Sequence, residues 1–432
     1  MPPTLILSPT ASATPAVDFA LVGQWTGPAR NGDFNMSVTL DLLSACAIGQ
    51  VCGRIDLAEV PCSASFTLVS DWGGIYEFQA GDKAGNCGAG RDFLRPLPDG
   101  SLLYTSRGEY GETRGVLINA GTSRRAVIFD DDGSPDGTTA LLYLLSRRDV
   151  EIKAVDITYG EAHPATYIQH MGRMMEGFGY PGIPLGAGMD GSLAGVEGFP
   201  EWLRDAADHF WNWPLPNANK TYPAEDSAQL LIRLLRNSSE PIDLFFSGPV
   251  TNLARALRQA PDIRDRIGTL YMMAGAVFVP GNVHDFYPDS SNVYADWNPY
   301  SDPVAYQEVF EAGIPMVLVP LDATNKVKAD RQDTRTWRAG GRLANFLADV
   351  YDGLMRGEAG QTYIWDLLAA TVMTEPDLCG YQDLHLDVVT EPGNHFGQLV
   401  VVPEAQPNIR VCLTPDGEAI LQTLTDIFSN SR

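Results

Sequence analysis

The chain has 432 residues, of which 44% are hydrophobic, and a formal net charge of −24. A length beyond roughly 300 residues favours two domains over a single core. The negative charge argues against nucleic acid as a partner because it repels phosphate backbones, and no apolar run reaches the roughly 18 residues of a membrane span.

The first segment, residues 1–16, is rich in Pro, Ser, Thr and Ala and predicts a flexible tether. It lacks the charged start and long apolar stretch of an intact export signal. Removal of such a signal would explain the tether. We therefore expect an extracellular, periplasmic or lipid-tethered protein, with a cytoplasmic location left open.

Residues 17–120 contain short alternating stretches, such as FNMSVTLDLL and SASFTLVS, separated by glycine and polar turns. This pattern predicts a small all-β domain, either a barrel or a sandwich. Four cysteines without C-x-x-C spacing could form two disulfides, which would indicate an oxidising compartment: Cys46, Cys52, Cys62 and Cys87. Cys379 and Cys412 are either a third pair or buried thiols.

From residue 124 to residue 432 the pattern changes to alternating strands and helices, beginning with RAVIFD and TTALLYLLSRR. Such alternation predicts α/β crossovers and a mostly parallel sheet. Ligands of these sheets bind beyond the carboxyl ends of the strands. The loops after RAVIFD, AVDITYG, LFFSG, MMAGA and LVPLD should therefore converge on one site.

The first of these loops carries four carboxylates within seven residues: Asp130, Asp131, Asp132 and Asp136. Carboxylates this close repel one another unless a cation or solvent offsets their charge. Oxygen ligands of this kind select Ca²⁺ or Mg²⁺. The alternative is an acidic loop with Asp136 as a helix N-cap.

Further polar segments follow later strands or open later helices: Ser247-Gly248-Pro249-Val250-Thr251-Asn252, Pro280-Gly281-Asn282, Asp296-Trp297-Asn298 and Trp365-Asp366. Asp366 lies in an apolar helical stretch. A carboxylate there needs a cation, an Arg or a helix N-terminus as its partner. Taken alone, it could equally be a structural ion-pair or cap residue.

In this order, over about 300 residues, these segments resemble the inosine–uridine nucleoside hydrolase family. Asp130, Asp132 and Asp136 match the opening motif D-x-D-x-x-x-D-D, in which Gly137 replaces the fourth acid. The resemblance implies a Rossmann-like sheet of the nucleoside hydrolase type. It also implies Ca²⁺-dependent hydrolysis of ribonucleosides to ribose and free base.

The resemblance further implies residue roles. Asp132 is expected to bind Ca²⁺ and to act as general base, and Asp366, the Ser247 carbonyl and Asp130 complete the expected metal set. The residues expected to bind the sugar are Asp136, Asn282, Asp296 and Asn298. Glu161, in the loop after the second strand, is expected to face the substrate or else to be a solvated acid.

Trp365 stands where one branch of the family has a His near the leaving base, and Gly133 also resembles the purine-preferring branch. A stacked indole would favour departure of a purine, whereas the alternative for Trp365 is core packing. Residues 198–217 predict either a lid over the base or an interface, through Trp202, Phe210, Trp211 or Trp213.

The missing acid at Gly137 leaves three outcomes: a weaker metal site, a recruited acid such as Asp322, or a non-catalytic module that binds nucleosides or sugars. We expect Asp131 not to substitute, because side chains alternate on an extended stretch and Asp131 should point away from Asp130 and Asp132. Hydrolysis of another N-riboside, such as nicotinamide riboside, is a further alternative. The family resemblance also suggests a homo-oligomer.

Overall fold

The computed structural model describes residues 21–32, 34–43, 46–119, 121, 124–196, 199–215, 220–355 and 360–430. The chain divides into two compact units, Met1–Ser123 and Arg124–Arg432. The tether predicted over residues 1–16 lies outside the described residues.

The first unit is a closed antiparallel barrel of consecutive strands, so of the two predicted forms the barrel is adopted. On β2 the buried residues Met36, Val38, Leu40 and Leu42 alternate with more exposed ones, as expected for a half-buried strand. Pairing of β1 with β8 closes the barrel. The strands are β1 (Gly23–Asn31), β2 (Phe34–Leu42), β3 (Val51–Leu57), β4 (Cys62–Asp71), β5 (Tyr76–Gly85), β6 (Gly90–Pro96), β7 (Leu102–Gly108) and β8 (Gly111–Asn119).

The barrel holds two disulfides, Cys46–Cys52 and Cys62–Cys87. A cavity of about 530 Å³ lies at the end where β1–β2, β3–β4, β5–β6 and β7–β8 turn. Phe34 and Tyr110 are exposed at its rim. The buried Asp92 lines its wall and accepts a hydrogen bond of 2.9 Å from the Tyr104 hydroxyl.

The second unit is a mixed α/β fold around a sheet with the order β12-β11-β10-β9-β13-β14-β15-β21-β18. Its pairs are parallel except for the edge strand β18, which runs antiparallel to β21. The strands are β9 (Arg125–Asp131), β10 (Val150–Ile157), β11 (Leu185–Ala187), β12 (Glu225–Asp226), β13 (Ile242–Phe246), β14 (Ile267–Met273), β15 (Met316–Val319), β16 (Lys328–Asp330), β17 (Gln361–Tyr363), β18 (Cys379–Leu384), β19 (Leu386–Val388), β20 (Leu399–Val401) and β21 (Ile409–Pro415).

The helices of this unit are α1 (Pro135–Ser146), α2 (Pro164–Phe178), α3 (Glu201–Asp208), α4 (Ser227–Asn237), α5 (Thr251–Gln259), α6 (Val283–Phe286), α7 (Trp297–Ser301), α8 (Pro303–Phe310), α9 (Leu321–Thr324), α10 (Arg331–Trp337), α11 (Arg342–Leu354), α12 (Trp365–Thr374) and α13 (Gly417–Phe428). Short 3₁₀ turns cover Phe210–Asn212, Pro261–Arg266 and Pro376–Leu378. Among the described residues, no helix is both long and apolar enough to cross a bilayer.

Each face of the sheet has its own apolar core. Val127 and Phe129 of β9 pack with α1, α2 and α12 on one face. Ile128 packs with α4, α5 and α8 on the other. A third disulfide, Cys379–Cys412, joins β18 to β21. By this alternation, the last residue of β9, Asp131, belongs to the face covered by α1 and α12.

Candidate active site

The loops at the carboxyl ends of the parallel strands meet, as expected. The Thr158 N–H, after β10, donates to the Asp131 carbonyl at 2.8 Å. The Ser247 N–H, after β13, donates to the Asp130 carbonyl at 2.9 Å. These backbone bonds place the acidic segment beside the loops that carry Glu161 and Ser247.

Asp131 points into this site, so the expectation that it points away from the site is wrong. Its carboxylate accepts hydrogen bonds from the Gly133 N–H at 3.0 Å, the Ser134 hydroxyl at 3.2 Å and the Ser247 hydroxyl at 3.0 Å. The alternation itself is correct, because Asp130 takes the opposite direction. The expectation failed because the acids gather on the face covered by α1 and α12.

Asp130 is buried on the other face, where its Oδ2 accepts a hydrogen bond of 2.9 Å from Asn252 Nδ2. Burial, followed by the charge of Asp156, raises its pKa well above the usual range. This position separates the Asp130 carboxylate from the side chains around Asp131. The structure therefore gives no support to Asp130 as part of the predicted metal set.

Asp132 follows the end of β9 and is enclosed by two glycines. A Cβ at Gly160 would overlap the Asp132 carboxylate, and a Cβ at Gly248 would lie 2.7 Å from the Asp132 Cβ. The Glu161 N–H donates to Asp132 Oδ2 at 3.4 Å. Burial, and then the charges of Asp131 and Asp136, raise the pKa of Asp132 well above its usual value.

Two helix N-termini bring the remaining acids to the site. Ser134 caps α1 by accepting a hydrogen bond from the Gly137 N–H at 2.8 Å, so the cap is Ser134 and not Asp136. The Ser134 hydroxyl also lies 3.2 Å from Asp366 Oδ2, in the first turn of α12. The Asp366 N–H approaches Asp136 Oδ2 at 3.5 Å. Helix N-termini favour anions, which suits this placement.

Glu161 adds a further acid, as the sequence suggested. Its Oε2 is buried and has no hydrogen-bond partner among the described residues. Burial, followed by the charges of Asp132, Asp136 and Asp131, raises its pKa well above the usual value. Oε2 of Glu161 is therefore shielded from solvent, and the charges of the neighbouring acids reach it.

These acids lack a cationic partner in the described part of the chain. No ion pair there links Lys or Arg to Asp131, Asp132, Asp136, Asp366 or Glu161. Burial raises the pKa of Asp131 to about 7, against the hydrogen bond from Gly133 and others that lower it. Buried carboxylates without counter-charge need protons or a cation.

The donor set suits a hard cation, because it consists of carboxylate oxygens, one of them unpartnered. As they stand, no three His, Cys, Asp or Glu side chains of the described residues are arranged to hold a metal ion.

Three of the four side chains predicted to bind the sugar, Asn282, Asp296 and Asn298, lie close together, whereas Asp136 lies with the acids beside Asp366. Asn298 Nδ2 donates to the carbonyls of Ser247 at 3.4 Å and Met273 at 2.9 Å. Asp296 Oδ1 accepts from the Gly275 N–H at 2.8 Å, and Asn282 Oδ1 accepts from the Trp297 N–H at 2.8 Å. The contact with the Ser247 carbonyl joins this group to the acids.

Trp365 is the first residue of α12 and precedes Asp366. Its ring is half-buried, its Nε1 donates to Asn325 Oδ1 at 3.0 Å, and its centroid lies 5.2 Å from that of Tyr363. The indole is thus held in place without being enclosed in the core.

The described part of the predicted lid, residues 199–215, packs on the loop that carries Asp296 and Asn298. Phe199 packs against Trp297 in a tilted arrangement, with ring centroids 3.8 Å apart. Phe210 is buried against Tyr167 and His170, so it belongs to the core and is unable to cover a base. Trp202 is 65% exposed, and the choice between lid and interface stays a prediction.

Asp322 is not a recruited ligand. Its two carboxylate oxygens accept the N–H groups of Val277 and Phe278, each at 2.8 Å. It holds the loop after β14. Sequence reasoning rejected Asp131 on the basis of strand alternation and overlooked Ser134. The glycine at position 137, together with an additional acid at position 131, was a usable signal for Asp131.

The model of the inosine-uridine preferring nucleoside hydrolase family matches residues 127–422. The pyrimidine-specific ribonucleoside hydrolase RihA of Salmonella gallinarum is 28% identical over 314 residues, covering 69% of this chain and 97% of that protein. A RihA of Citrobacter koseri is 28% identical over 235 residues, covering 52% and 70%.

Two solved structures are similar to this chain. The inosine-uridine preferring nucleoside hydrolase of Bacillus anthracis has 26% identity and a TM-score of 0.62, covering 71% of this chain and 99% of its own. The purine-preferring ribonucleoside hydrolase of Gardnerella vaginalis has 22% identity and a TM-score of 0.62, covering 70% and 98%; this likeness shows the fold alone. The chain belongs to the inosine-uridine preferring nucleoside hydrolase family, and the expectation of an N-ribosyl hydrolase is confirmed.

Proposed function

We propose that the second unit hydrolyses the N-glycosidic bond of purine ribonucleosides, with a Ca²⁺ ion at the site and Asp132 as general base. The observation that carries this proposal is the group of acids at the strand ends, which are buried or half-buried without a basic partner among the described residues. Asp132, Asp366 and the Ser247 carbonyl would hold the metal. A bound dication lowers the pKa of water and offsets carboxylate charge.

The acids of the chain supply the remaining chemistry. Asp132, which Gly160 and Gly248 enclose, would accept a proton from the attacking water. Breaking the bond between C1′ and the base nitrogen builds positive charge on the sugar. Asp136 and Glu161 stabilise that charge more than the neutral ground state, which lowers the barrier.

The amide side chains orient the sugar. Asn298 Nδ2 donates to the Ser247 and Met273 carbonyls, Asn282 Oδ1 accepts from the Trp297 N–H, and the Asn282 side chain also hydrogen-bonds Asp296. These contacts fix the orientation of both amides, and Asn298 Oδ1 would accept a hydrogen bond from a sugar hydroxyl. Asp296 fixes the loop through its bonds to Gly275 and Asn298.

The base preference is proposed from Trp365. Its half-buried indole, held by Asn325 and Tyr363, offers a flat surface that favours the larger purine ring. The RihA relatives are pyrimidine-specific by name, so uridine is the informative competitor. We expect kcat/KM to be more than about 10 times higher for inosine than for uridine. This ratio corresponds to a difference in transition-state free energy on the order of 1.4 kcal/mol.

The decisive experiment measures release of free base and reducing sugar from inosine, adenosine, uridine and nicotinamide riboside. We expect hydrolysis of inosine, loss of activity on chelation, and recovery with Ca²⁺. Asp132→Asn should lower kcat by at least about 10³-fold, since a general base contributes roughly 10²–10⁴-fold and the metal site also loses an anion. Asp349→Asn, on the exposed face of α11, serves as the matched control.

The alternative function is a nucleoside-binding module, which the replacement of an acid by Gly137 favours. Saturable binding of inosine that leaves the nucleoside intact in the presence of Ca²⁺ would establish the module and overturn the enzymatic proposal.

We also infer export to an oxidising compartment, supported by the three disulfides. Alkylation in intact cells should find no free thiol, and six reactive thiols would contradict the inference. Homo-oligomer formation stays a prediction.

A further inference from the structure

We propose that the Asp131 carboxylate takes the metal-binding role of the acid that Gly137 lacks. This inference rests on the proposed function, because it concerns the same cation. It assigns the ligand to the last residue of β9, six positions before Gly137, the third residue of α1.

The space beside Gly137 is taken up by the Asp131 side chain. A Cβ at Gly137 would overlap both Oδ1 and Cγ of Asp131. The Asp131 carboxylate therefore occupies the volume in which a side chain at position 137 would begin. Only glycine at 137 permits this placement. The absence of an acid at position 137 and the position of the Asp131 carboxylate therefore depend on each other.

Two serine hydroxyls connect Asp131 to the other expected ligands. Asp131 Oδ1 accepts from the Ser247 hydroxyl at 3.0 Å and lies 3.2 Å from the Ser134 hydroxyl, which also contacts Asp366 at 3.2 Å. Asp131 is therefore one hydroxyl group away from Asp366 and in direct contact with Ser247. Asp131 is 0% exposed and makes no ion pair among the described residues.

The Asp131 carboxylate also supplies negative charge to the proposed Ca²⁺ site. Affinity for Ca²⁺ depends on the number of anionic ligands. A carboxylate supplied from the end of β9 restores the anion that α1 does not supply. With Asp131 in this role, the site keeps the negative charge that a dication requires. Gly137 then does not weaken Ca²⁺ binding.

The test is calorimetric Ca²⁺ binding to the full chain after removal of bound metal. Asp131→Asn keeps the size of the side chain and an oxygen acceptor for Ser247, and it should weaken Ca²⁺ binding at least 10-fold. The double variant Asp131→Ala/Gly137→Asp moves the acid to the other position and should restore the Kd to within about threefold of wild type. Asp349→Asn should leave the Kd unchanged, and thermal unfolding without Ca²⁺ checks that each variant folds.

The outcomes separate the two proposals. Wild-type affinity in Asp131→Asn, a double variant that folds without recovering binding, or absence of Ca²⁺ binding by the wild type would overturn the inference. If Ca²⁺ binding follows the acid as expected but inosine is never cleaved, the inference stands and the proposed function fails. If the wild type cleaves inosine while Asp131→Asn binds Ca²⁺ normally, the proposed function stands and the inference about Asp131 fails.

Discussion

At the scale of single residues, Asp132 is positioned by the absence of neighbouring side chains. Gly160 and Gly248 approach it so closely that neither tolerates a Cβ without movement of Asp132. A general base must stay within hydrogen-bond reach of the water it activates. The position of Asp132 is therefore controlled by its close contacts with the backbone at Gly160 and Gly248. The charge and polarity of the sequence do not reveal such contacts.

We predict that Gly160→Ala displaces the Asp132 carboxylate and lowers kcat/KM for inosine at least about 100-fold, since small misplacements can cost this much. Steady-state kinetics measure the loss, and circular dichroism should show an unchanged fold. Gly191→Ala is the control, because its Cβ would meet only the Met189 methyl at 3.8 Å. Equal activity in both variants would show that Asp132 does not need this enclosure.

Residue type and order sufficed to predict which acids lie close together, while the roles assigned to them stay predictions. The grouping of Asp132, Asp136 and Asp366 follows from polar residues placed at strand ends and at a helix start. The exchange between Asp131 and Gly137 could not be predicted from alternation alone. Alternation gives relative directions, and only the packing of α1 and α12 on β9 decides which direction faces the site.

At the scale of elements, periodicity located the long helices and buried strands well. The segment TTALLYLLSRR, which begins at Thr138, covers nine of the twelve residues of α1. The start of α1 was misplaced because Ser134 and Pro135 provide the cap and the first turn. Phe210, Trp211 and Asn212 adopt φ values of 50°, 52° and 60°, which residue preference disfavours and only tertiary contacts impose.

The barrel makes a prediction about pH. Burial raises the pKa of Asp92, while the hydrogen bond from Tyr104 opposes the rise. The folded barrel thus holds this proton more tightly than the unfolded chain does. Its contribution to stability is complete below the ordinary carboxyl pKa of roughly 4 and is lost as pH rises through the higher folded value.

Asp92→Asn should therefore reduce the fall in stability between pH 4 and pH 8, and at pH 8 it should exceed the wild type by about 1.4 kcal/mol per unit of pKa elevation. Unfolding monitored by circular dichroism across this range measures the difference. Asp41→Asn on the exposed side of β2 is the comparison. An unchanged pH profile in Asp92→Asn would refute the assignment.

At the scale of the whole molecule, the hydrolase family match begins at residue 127, just inside the unit that starts at Arg124. The RihA of Salmonella gallinarum is covered over 97% of its length by 69% of this chain. The barrel is thus additional to what this relative contains. The change in composition near residue 120 was readable in the sequence, whereas the role of the barrel was not.

We predict that a chain of residues 124–432 folds alone, because this unit has its own apolar core and carries all the proposed site residues. It should hydrolyse inosine with a kcat/KM within about threefold of the full chain, a difference of less than roughly 1 kcal/mol. Kinetics and thermal unfolding of the two proteins, side by side, provide the measurement. A soluble, folded fragment with activity reduced by more than about 100-fold would show that catalysis requires the barrel.

The pairing of all six cysteines has a practical consequence. A cysteine introduced at Trp202, which is 65% exposed on α3, would be the sole reactive thiol in the oxidised chain. A fluorophore attached there would report on the segment from residue 199 to residue 215 as nucleoside is added. A spectral change on saturation would indicate closure over the base, and an effect of protein concentration instead would indicate self-association.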